Sequence, residues 1–378
     1  MTADRYIGLI SGTSMDGIDA VVVDFAGDRP QLRAGTTAHY GDGLREALDR
    51  LRADPDAFPA ARLARLDAEV ADAFADAALR VLHVADLPPS GIRAIGSHGQ
   101  TVLHRPEASP PHTLQIGDPS RIAAATGIDV VADLRRADLA AGGQGAPLAP
   151  LIHSALLADP DERRVVVNLG GIANITVLDR GRVSGFDTGP ANCFLDDWYR
   201  AHRPEPEAHE KTARFDQDGR WADSGQVDES LLAELMTDPF IQRPPPKSTG
   251  IEYFSPAWLR ERLPDDAGQR AADIQATMAE FSAASLADNI RRHGPGRVDR
   301  VLLCGGGTAN TGLVARIRRR LGGIEIQSAA EFGIDPDFVE ATLIAWLARE
   351  FVEGRTIDTP PITGAAQPVR LGALWPGR

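Results

Sequence analysis

"YIGLISGTSMDGIDAVVVDF" (residues 6–25) decides how this chain is read. Two apolar, β-rich arms flank a centre that holds Ser11, Gly12, Thr13, Ser14, Asp16, Gly17 and Asp19. A tight hairpin needs two turn residues, often Asn-Gly or Asp-Gly. A longer tip of glycine, hydroxyls and carboxylates offers backbone N–H groups and polar side chains to a ligand. A second stretch, "RRVVVNLGGIANITVLDRGRV" (residues 163–183), repeats the plan. Val165, Val166 and Val167 lead in, "NLGGIAN" is the tip, and Ile175, Val177 and Leu178 lead out. Two such hairpins suggest a duplicated nucleotide-binding lobe.

Working outward, strands alternate with helices. Leu63, Leu66, Val70, Phe74 and Val81 recur at helical spacing and predict one apolar helix face. Asp118, Pro119 and Gly127 supply the cap, first position and stop of a short helix. Val339, Leu343, Trp346 and Leu347 mark another helix, with Gly354 as its stop. Residues 202–228 read as a polar surface excursion. The expected class is α/β with mixed sheets flanked by helices.

The 378 residues allow two domains and a well-buried core. Composition, at 43% hydrophobic and 25% charged, is that of a globular protein. The net charge of −13 and the absence of a basic run argue against nucleic acid. An anion must therefore be bound locally, by backbone N–H groups and a few cations. Cys193 and Cys304 are far apart and read as buried reduced thiols, with no metal-ligand spacing. No apolar run reaches spanning length and no signal segment is evident, so no membrane partner is expected and the cytoplasm is the expected compartment.

Four small-residue turns follow apolar strands: "SGTSMDG", "NLGGIAN", "FDTGPAN" and "LCGGGTAN". None has the P-loop lysine or the GxGxxG spacing. One alone is usually structural, but four in one α/β chain favour a nucleotide. Thr13, Ser14 and the N–H groups near Gly12 and Gly17 suit a triphosphate, with Mg²⁺ between it and Asp16 and Asp19. Asp187 can accept a proton from a nucleophile or cap a helix starting near Asn192. "GSHGQT" offers His98, Gln100 and Thr101, either as a structural loop or as an exposed polar site. Arg135 can grip a carboxylate or join a surface ion pair. Glu340 lies beside the apolar face of its helix, as a solvated flank or pointing into a cleft.

These segments, with "GSHGQTVLHRP", "GFDTGPANCFLDDW", "PPPKSTG" and "FGIDPDFVEATLIAWLA" in the same order from residue 6 to the last residues, resemble the anhydro-N-acetylmuramic acid kinase family. The resemblance implies a two-lobed actin-like ATPase (ribonuclease H-like) fold with ATP in a cleft. Residues 1–130 plus about 350–378 would form one lobe and residues 131–349 the other. It implies a first phosphate loop of Gly12, Thr13, Ser14, Met15, Asp16, Gly17, Ile18 and Asp19. The second would use Asn168, Gly170 and Gly171, and an adenosine loop Gly305, Gly306 and Asn310. The implied reaction opens the 1,6-anhydro ring of anhydro-N-acetylmuramic acid with water while O6 takes the γ-phosphoryl group of ATP. Asp187 is the implied base, and Mg²⁺ travels with ATP without direct protein ligands. His98, Gln100, Thr101, Arg135 and Glu340 are assigned to the sugar, Arg135 to its lactyl carboxylate, and Lys247 to phosphate or to pinning a loop. Ala191, Ile251, Thr308 and Ala309 depart from the family's pattern. An ordinary sugar or acetate-type kinase and an ATP-switched interaction protein are the alternatives, and a homodimer is left open.

Overall fold

In the computed structural model, residues 4–12, 15, 17–26, 30–203, 215–250, 253–332, 335 and 337–377 are described. Among them twelve strands occur: β1 Arg5–Ser11, β2 Ile18–Asp24, β3 Gln31–Ala38, β4 Ala94–Arg105, β5 His112–Ile116, β6 Val130–Ala132, β7 Arg163–Leu169, β8 Ile172–Asp179, β9 Arg182–Pro190, β10 Arg300–Cys304, β11 Glu325–Ser328 and β12 Ala373–Trp375. They form two mixed sheets flanked by helices, as the α/β reading expects. One has the order β12-β6-β4-β1-β2-β3, with β5 on β4; the other runs β11-β10-β7-β8-β9.

The two sheets share a plan. β1, β2 and β3 form an antiparallel meander, and β4 and β6 add in parallel beyond β1. In the same way β7, β8 and β9 are antiparallel, and β10 and β11 add in parallel beyond β7. The two glycine-tipped hairpins, β1–β2 and β7–β8, therefore hold equivalent places. The duplication read from sequence pattern is a duplication of topology.

Contacts divide the chain into two units, Met1–Leu156 with Gly333–Arg378, and Leu157–Phe332. The sequence boundaries, near 130 and 350, fall elsewhere for two reasons. β6 pairs with β4, and the helix Val339–Val352 packs on β1, β2 and β4, so both stay with the first unit.

In the first unit the helix Ala60–Val84 buries Leu66, Val70, Phe74 and Val81, the face its periodicity predicts. Pro119–Thr126 is capped by Asp118, which accepts from the Ser120 N–H at 2.9 Å, and is stopped by Gly127 at φ 71°. Val339–Val352 buries more than one stripe: Ala341, Ile344, Ala345 and Ala348 join Val339, Leu343 and Leu347, while Trp346 is only half-buried. It reaches the sheet so closely because Gly8 and Gly96 have no side chains. A Cβ on Gly8 would lie 1.9 Å from the Ala341 carbonyl oxygen, and one on Gly96 2.3 Å from that of Ile344. In the second unit the helix Ala271–His293 is buried along most of its length, and its core includes Val165, Phe194, Met278 and Phe281.

Candidate active site

The first glycine turn leaves β1 at Ser11 and enters β2 at Ile18. Thr13, Ser14 and Asp16 lie outside the described residues. Met15 is buried at φ 57°, and its N–H donates to the Gly12 carbonyl at 3.1 Å. Gln100 holds this turn from beneath, donating through Nε2 to the Gly12 carbonyl at 3.2 Å and accepting through Oε1 from the Tyr40 hydroxyl at 3.2 Å. Its fully buried amide is thus engaged with the fold beneath the loop. Arg45, which the sequence reading did not single out, donates to the Met15 carbonyl and places a cation beside the turn. Thr101 accepts from Gln115 Nε2 at 3.2 Å.

Four candidate residues gather in the same unit. His98 is buried and donates from Nδ1 to the Gly99 carbonyl at 3.0 Å, which leaves Nε2 to accept from Arg135 Nε at 2.9 Å. Burial, and then the Arg135 charge, push the imidazole down to about 3, so it is neutral. Arg135 also donates to the Gly145 carbonyl at 3.3 Å. The glycine loop 142–145 is tied back by Asp138, which accepts from the Gly145 N–H and the Thr363 hydroxyl, both at 2.7 Å. Burial lowers the Arg135 guanidinium to about 10, against the opposing charge of Glu340. Glu340 keeps solvent-exposed area, yet its carboxyl is held above its usual range. Surrounding protein is the first cause and Asp19 the second, with Arg135 opposing. Asp19 is raised by burial, against its bond from the Thr37 hydroxyl at 2.6 Å, with Asp337 adding to the rise. A cation oriented by a neutral imidazole, next to two reluctant carboxylates, is suited to an anionic, hydroxyl-rich ligand.

In the second unit Asp187 sits in β9 and does not cap the following helix. That helix, Asn192–His202, has Ala191 at its N-cap with no side-chain bond. Instead Asp187 Oδ2 accepts from the Ser248 hydroxyl at 3.0 Å and the Thr249 N–H at 2.8 Å. Lys247 is 5% exposed, and its ammonium donates to the Phe240 and Ile241 carbonyls, each at 3.1 Å. Of the two roles read from sequence, it takes the loop-pinning one. Ile251 lies outside the described residues.

Three of the four small-residue turns meet in this unit. The N–H groups of Ala191 and Asn192 donate to the Gly171 and Gly170 carbonyls at 2.9 and 3.0 Å, and Asn192 Nδ2 reaches the Leu169 and Gly170 carbonyls. Gly305, at φ 83°, lies so close that a Cβ would fall 2.2 Å from Asn168 Oδ1. Only bare backbone fits this floor. Ala191, where the resemblance leads us to expect glycine, tucks its methyl group fully inside. Thr308 is satisfied locally, its hydroxyl donating to the Gly305 carbonyl at 2.8 Å. Beside these turns opens a cavity of about 540 Å³, lined by Asn192, Asp196, Phe215, Asp218, Gly306 and Asn310 among others. That volume suits a nucleoside. Asn310 lines the cavity, but its Oδ1 caps the helix Thr311–Leu321 by accepting from the Leu313 N–H at 2.9 Å. Asp196 was not singled out from sequence; burial, despite Arg200, raises its carboxyl to about 6.

Among the described residues no three His, Cys, Asp or Glu side chains converge on a metal position. A divalent cation held by one or two carboxylates completes its shell with phosphate and water. Also among the described residues, no helix is long and apolar enough to cross a membrane.

Comparison with known proteins gives one family. The sequence profile of the anhydro-N-acetylmuramic acid kinase family matches residues 4–377. The anhydro-N-acetylmuramic acid kinase of Xanthomonas campestris pv. campestris (strain 8004) is 51% identical over 375 residues, covering 98% of this chain and 97% of that one. The protein of the same name from Xylella fastidiosa (strain Temecula1) is 44% identical over 378 residues, covering 99% and 97%. Among solved structures, the activator of the 2-hydroxyisocaproyl-CoA dehydratase from Clostridium difficile with bound ADPNP is similar over 93% of this chain and 96% of that one. The TM-score is 0.46 at 14% identity, too loose a likeness to decide anything.

Proposed function

Because the chain belongs to the anhydro-N-acetylmuramic acid kinase family, we propose that it opens the 1,6-anhydro ring of anhydro-N-acetylmuramic acid and phosphorylates O6 at the expense of ATP. Water adds to C1 and the C1–O6 bond breaks. O6 bonds to the γ-phosphorus as the bond to the β-phosphate oxygen breaks. The products are N-acetylmuramic acid 6-phosphate and ADP, and the water proton leaves to a base.

Asp187 is that base. Water is a poor nucleophile, and a fixed carboxylate takes its proton as C1 gains positive character. The single observation that carries this role is the seat of Asp187: two donors hold Oδ2 in the unit that also carries the Gly170–Gly171 and Gly305–Gly306 turns. Those turns, with Asn168 and the cavity at Asn310, would hold the phosphates and the nucleoside. Gly12, Thr13, Ser14, Met15, Asp16, Gly17, Ile18 and Asp19 would supply the other phosphate loop. Mg²⁺, when bound with ATP, neutralises phosphate charge during transfer. Arg135, oriented by His98, binds the lactyl carboxylate; Glu340 and Thr101 position the sugar; Gln100 supports the loop at Gly12. The cytoplasm, where ATP is available, belongs to the same reading.

The test has two parts. Mass spectrometry after incubation with ATP, Mg²⁺ and the anhydro sugar should show the 6-phosphate, and in oxygen-18 water, read early, label at the anomeric carbon. An unlabelled product would point to an ordinary sugar kinase. Asp187→Asn should lose turnover by a factor on the order of 10² or more while ATP still binds. Near-normal turnover would remove Asp187 as the base.

A further inference from the structure

Asp187 is tied to one short turn by three bonds. Its own N–H donates to the Lys247 carbonyl at 3.1 Å, while Ser248 Oγ and the Thr249 N–H both donate to Oδ2. The turn is braced in its own right. The Lys247 ammonium runs beneath it to the Phe240 and Ile241 carbonyls and lies 4.9 Å from the Phe240 ring centroid. Those carbonyls belong to the helix Pro239–Gln242, capped by the buried Asp238, which accepts from the Phe240 N–H at 2.8 Å. Asp238 also accepts from the Tyr253 hydroxyl at 3.1 Å and Trp258 Nε1 at 3.0 Å, on the far side of the turn in sequence. Lys247, Phe240, Ile241, Asp238 and Trp258 of this brace are buried, whereas Ser248 is exposed, and its hydroxyl bonds to Asp187. An exposed hydroxyl adds little to the stability of a fold.

We propose that Ser248 is a positioning residue for the reaction, fixing the orientation of the Asp187 carboxylate and stabilising its ionised form. The proposal rests on the reading of Asp187 as base. Two donors on one oxygen arrest rotation of the carboxylate and favour the charged form, so removing one raises the carboxyl pKa. The backbone donor of Thr249 survives any side-chain change there, so the hydroxyl of Ser248 is the adjustable member of the pair. Among the described residues of the turn, the charged group that Asp187 acts on is Lys247, held at about 8 chiefly by burial. Arg243 and Arg292 stand behind it, with His293, which burial pushes below its ordinary value. These remain in place when only the hydroxyl is deleted, so a difference between variant and wild type reports the lost bond.

The experiment compares pH profiles of kcat for wild type, Ser248→Ala, Ser248→Thr and Asp187→Asn with the anhydro sugar and Mg-ATP. Ser248→Ala should lower kcat about tenfold, the scale of one partly exposed charge-assisted hydrogen bond. Its acid limb should move to higher pH by about half a unit, with KM for ATP and the thermal midpoint unchanged. Ser248→Thr should restore both kcat and the limb. An acid limb that stays in place in Ser248→Ala, or an equal loss in Ser248→Thr, overturns the proposal. If Asp187→Asn is inactive while Ser248→Ala matches wild type, the base stands and the positioning role falls. If Asp187→Asn turns over near normally, the base assignment fails and takes this proposal with it.

Discussion

Gly8→Ala should damage the first unit more than any exposed substitution. Gly8 lies in β1 under the helix Val339–Val352, and its added Cβ would meet the Ala341 carbonyl oxygen at 1.9 Å and the Ala345 nitrogen at 2.8 Å. Both are backbone atoms, so no rotamer change relieves the clash. To restore even a tight contact of 3.0 Å, helix and strand must separate by about 1 Å. Overpacking typically costs about 1–3 kcal/mol, and a clash with rigid backbone belongs at the top of that range. For a unit of this size that is a fall of roughly 6–12 °C in the unfolding midpoint. The same displacement reaches function, because Glu340 precedes Ala341 and faces Arg135 and Asp19. A misplacement of about 1 Å near reacting groups can cost up to about 10²-fold in rate. Scanning calorimetry gives the first quantity, and kcat/KM for the sugar, measured well below the midpoint, gives the second. Gly43→Ala is the control. It lies in the exposed first turn of Asp42–Ala53 with nothing within 4 Å, and should be neutral or gain up to about 1 kcal/mol. A Gly8→Ala protein that melts with wild type and keeps its KM would refute the close seat of this helix.

Two further outcomes follow from buried polar groups. His98 and His153 are 5% and 1% exposed, and burial lowers them to about 3 and about 4. The unfolded chain therefore binds more protons below the ordinary histidine value of 6.5, and stability present above that pH is lost as pH falls toward the folded values. At about pH 5 each should have cost about 2 kcal/mol, so the two together take about 4 kcal/mol from urea unfolding relative to pH 7.5, beside His104, which acts in the same sense, and Asp196, which opposes them. His153→Leu should recover its share of about 2 kcal/mol, and an unchanged slope would contradict the assignment. Arg135→Lys keeps the charge but loses the fork that reaches both His98 and Gly145. KM for the anhydro sugar should rise about tenfold with kcat within a few-fold of wild type, and an unchanged KM would remove Arg135 from the substrate site.

What the sequence made legible was local. Helix periodicity at Leu66, Val70 and Phe74, the Asp118 cap and the Gly127 stop all act within a turn or two, and each appears where the pattern placed it. The glycine hairpins were readable for the same reason, since a turn's chemistry lies in the turn. The site is different, because its geometry is set by partners far along the chain. Arg135 meets His98 across 37 residues, and Ser248 meets Asp187 across 61. Nothing near Asp187 announces the donors from the Lys247 turn. No local pattern shows that Gln100 holds the Gly12 carbonyl, or that Gly8 is bare because a helix lies on it.

The consequence reaches the roles themselves. Lys247 and Gln100 are the residue types one expects at phosphate and sugar, yet both direct their N–H donors at backbone carbonyls beneath the loops. A buried donor that leaves a carbonyl for a ligand strands that carbonyl, at a cost of about 1–3 kcal/mol. Such groups therefore stay with the fold, and their effect on a ligand comes through the loops they hold. Ser248 and Arg135 differ because each has a bond that ends on a side chain inside the candidate sites, a carboxylate for Ser248 and an imidazole for Arg135, which also reaches the Gly145 carbonyl. Where a side chain's hydrogen bonds end, more than its residue type, separates those that build the site from those that tune it.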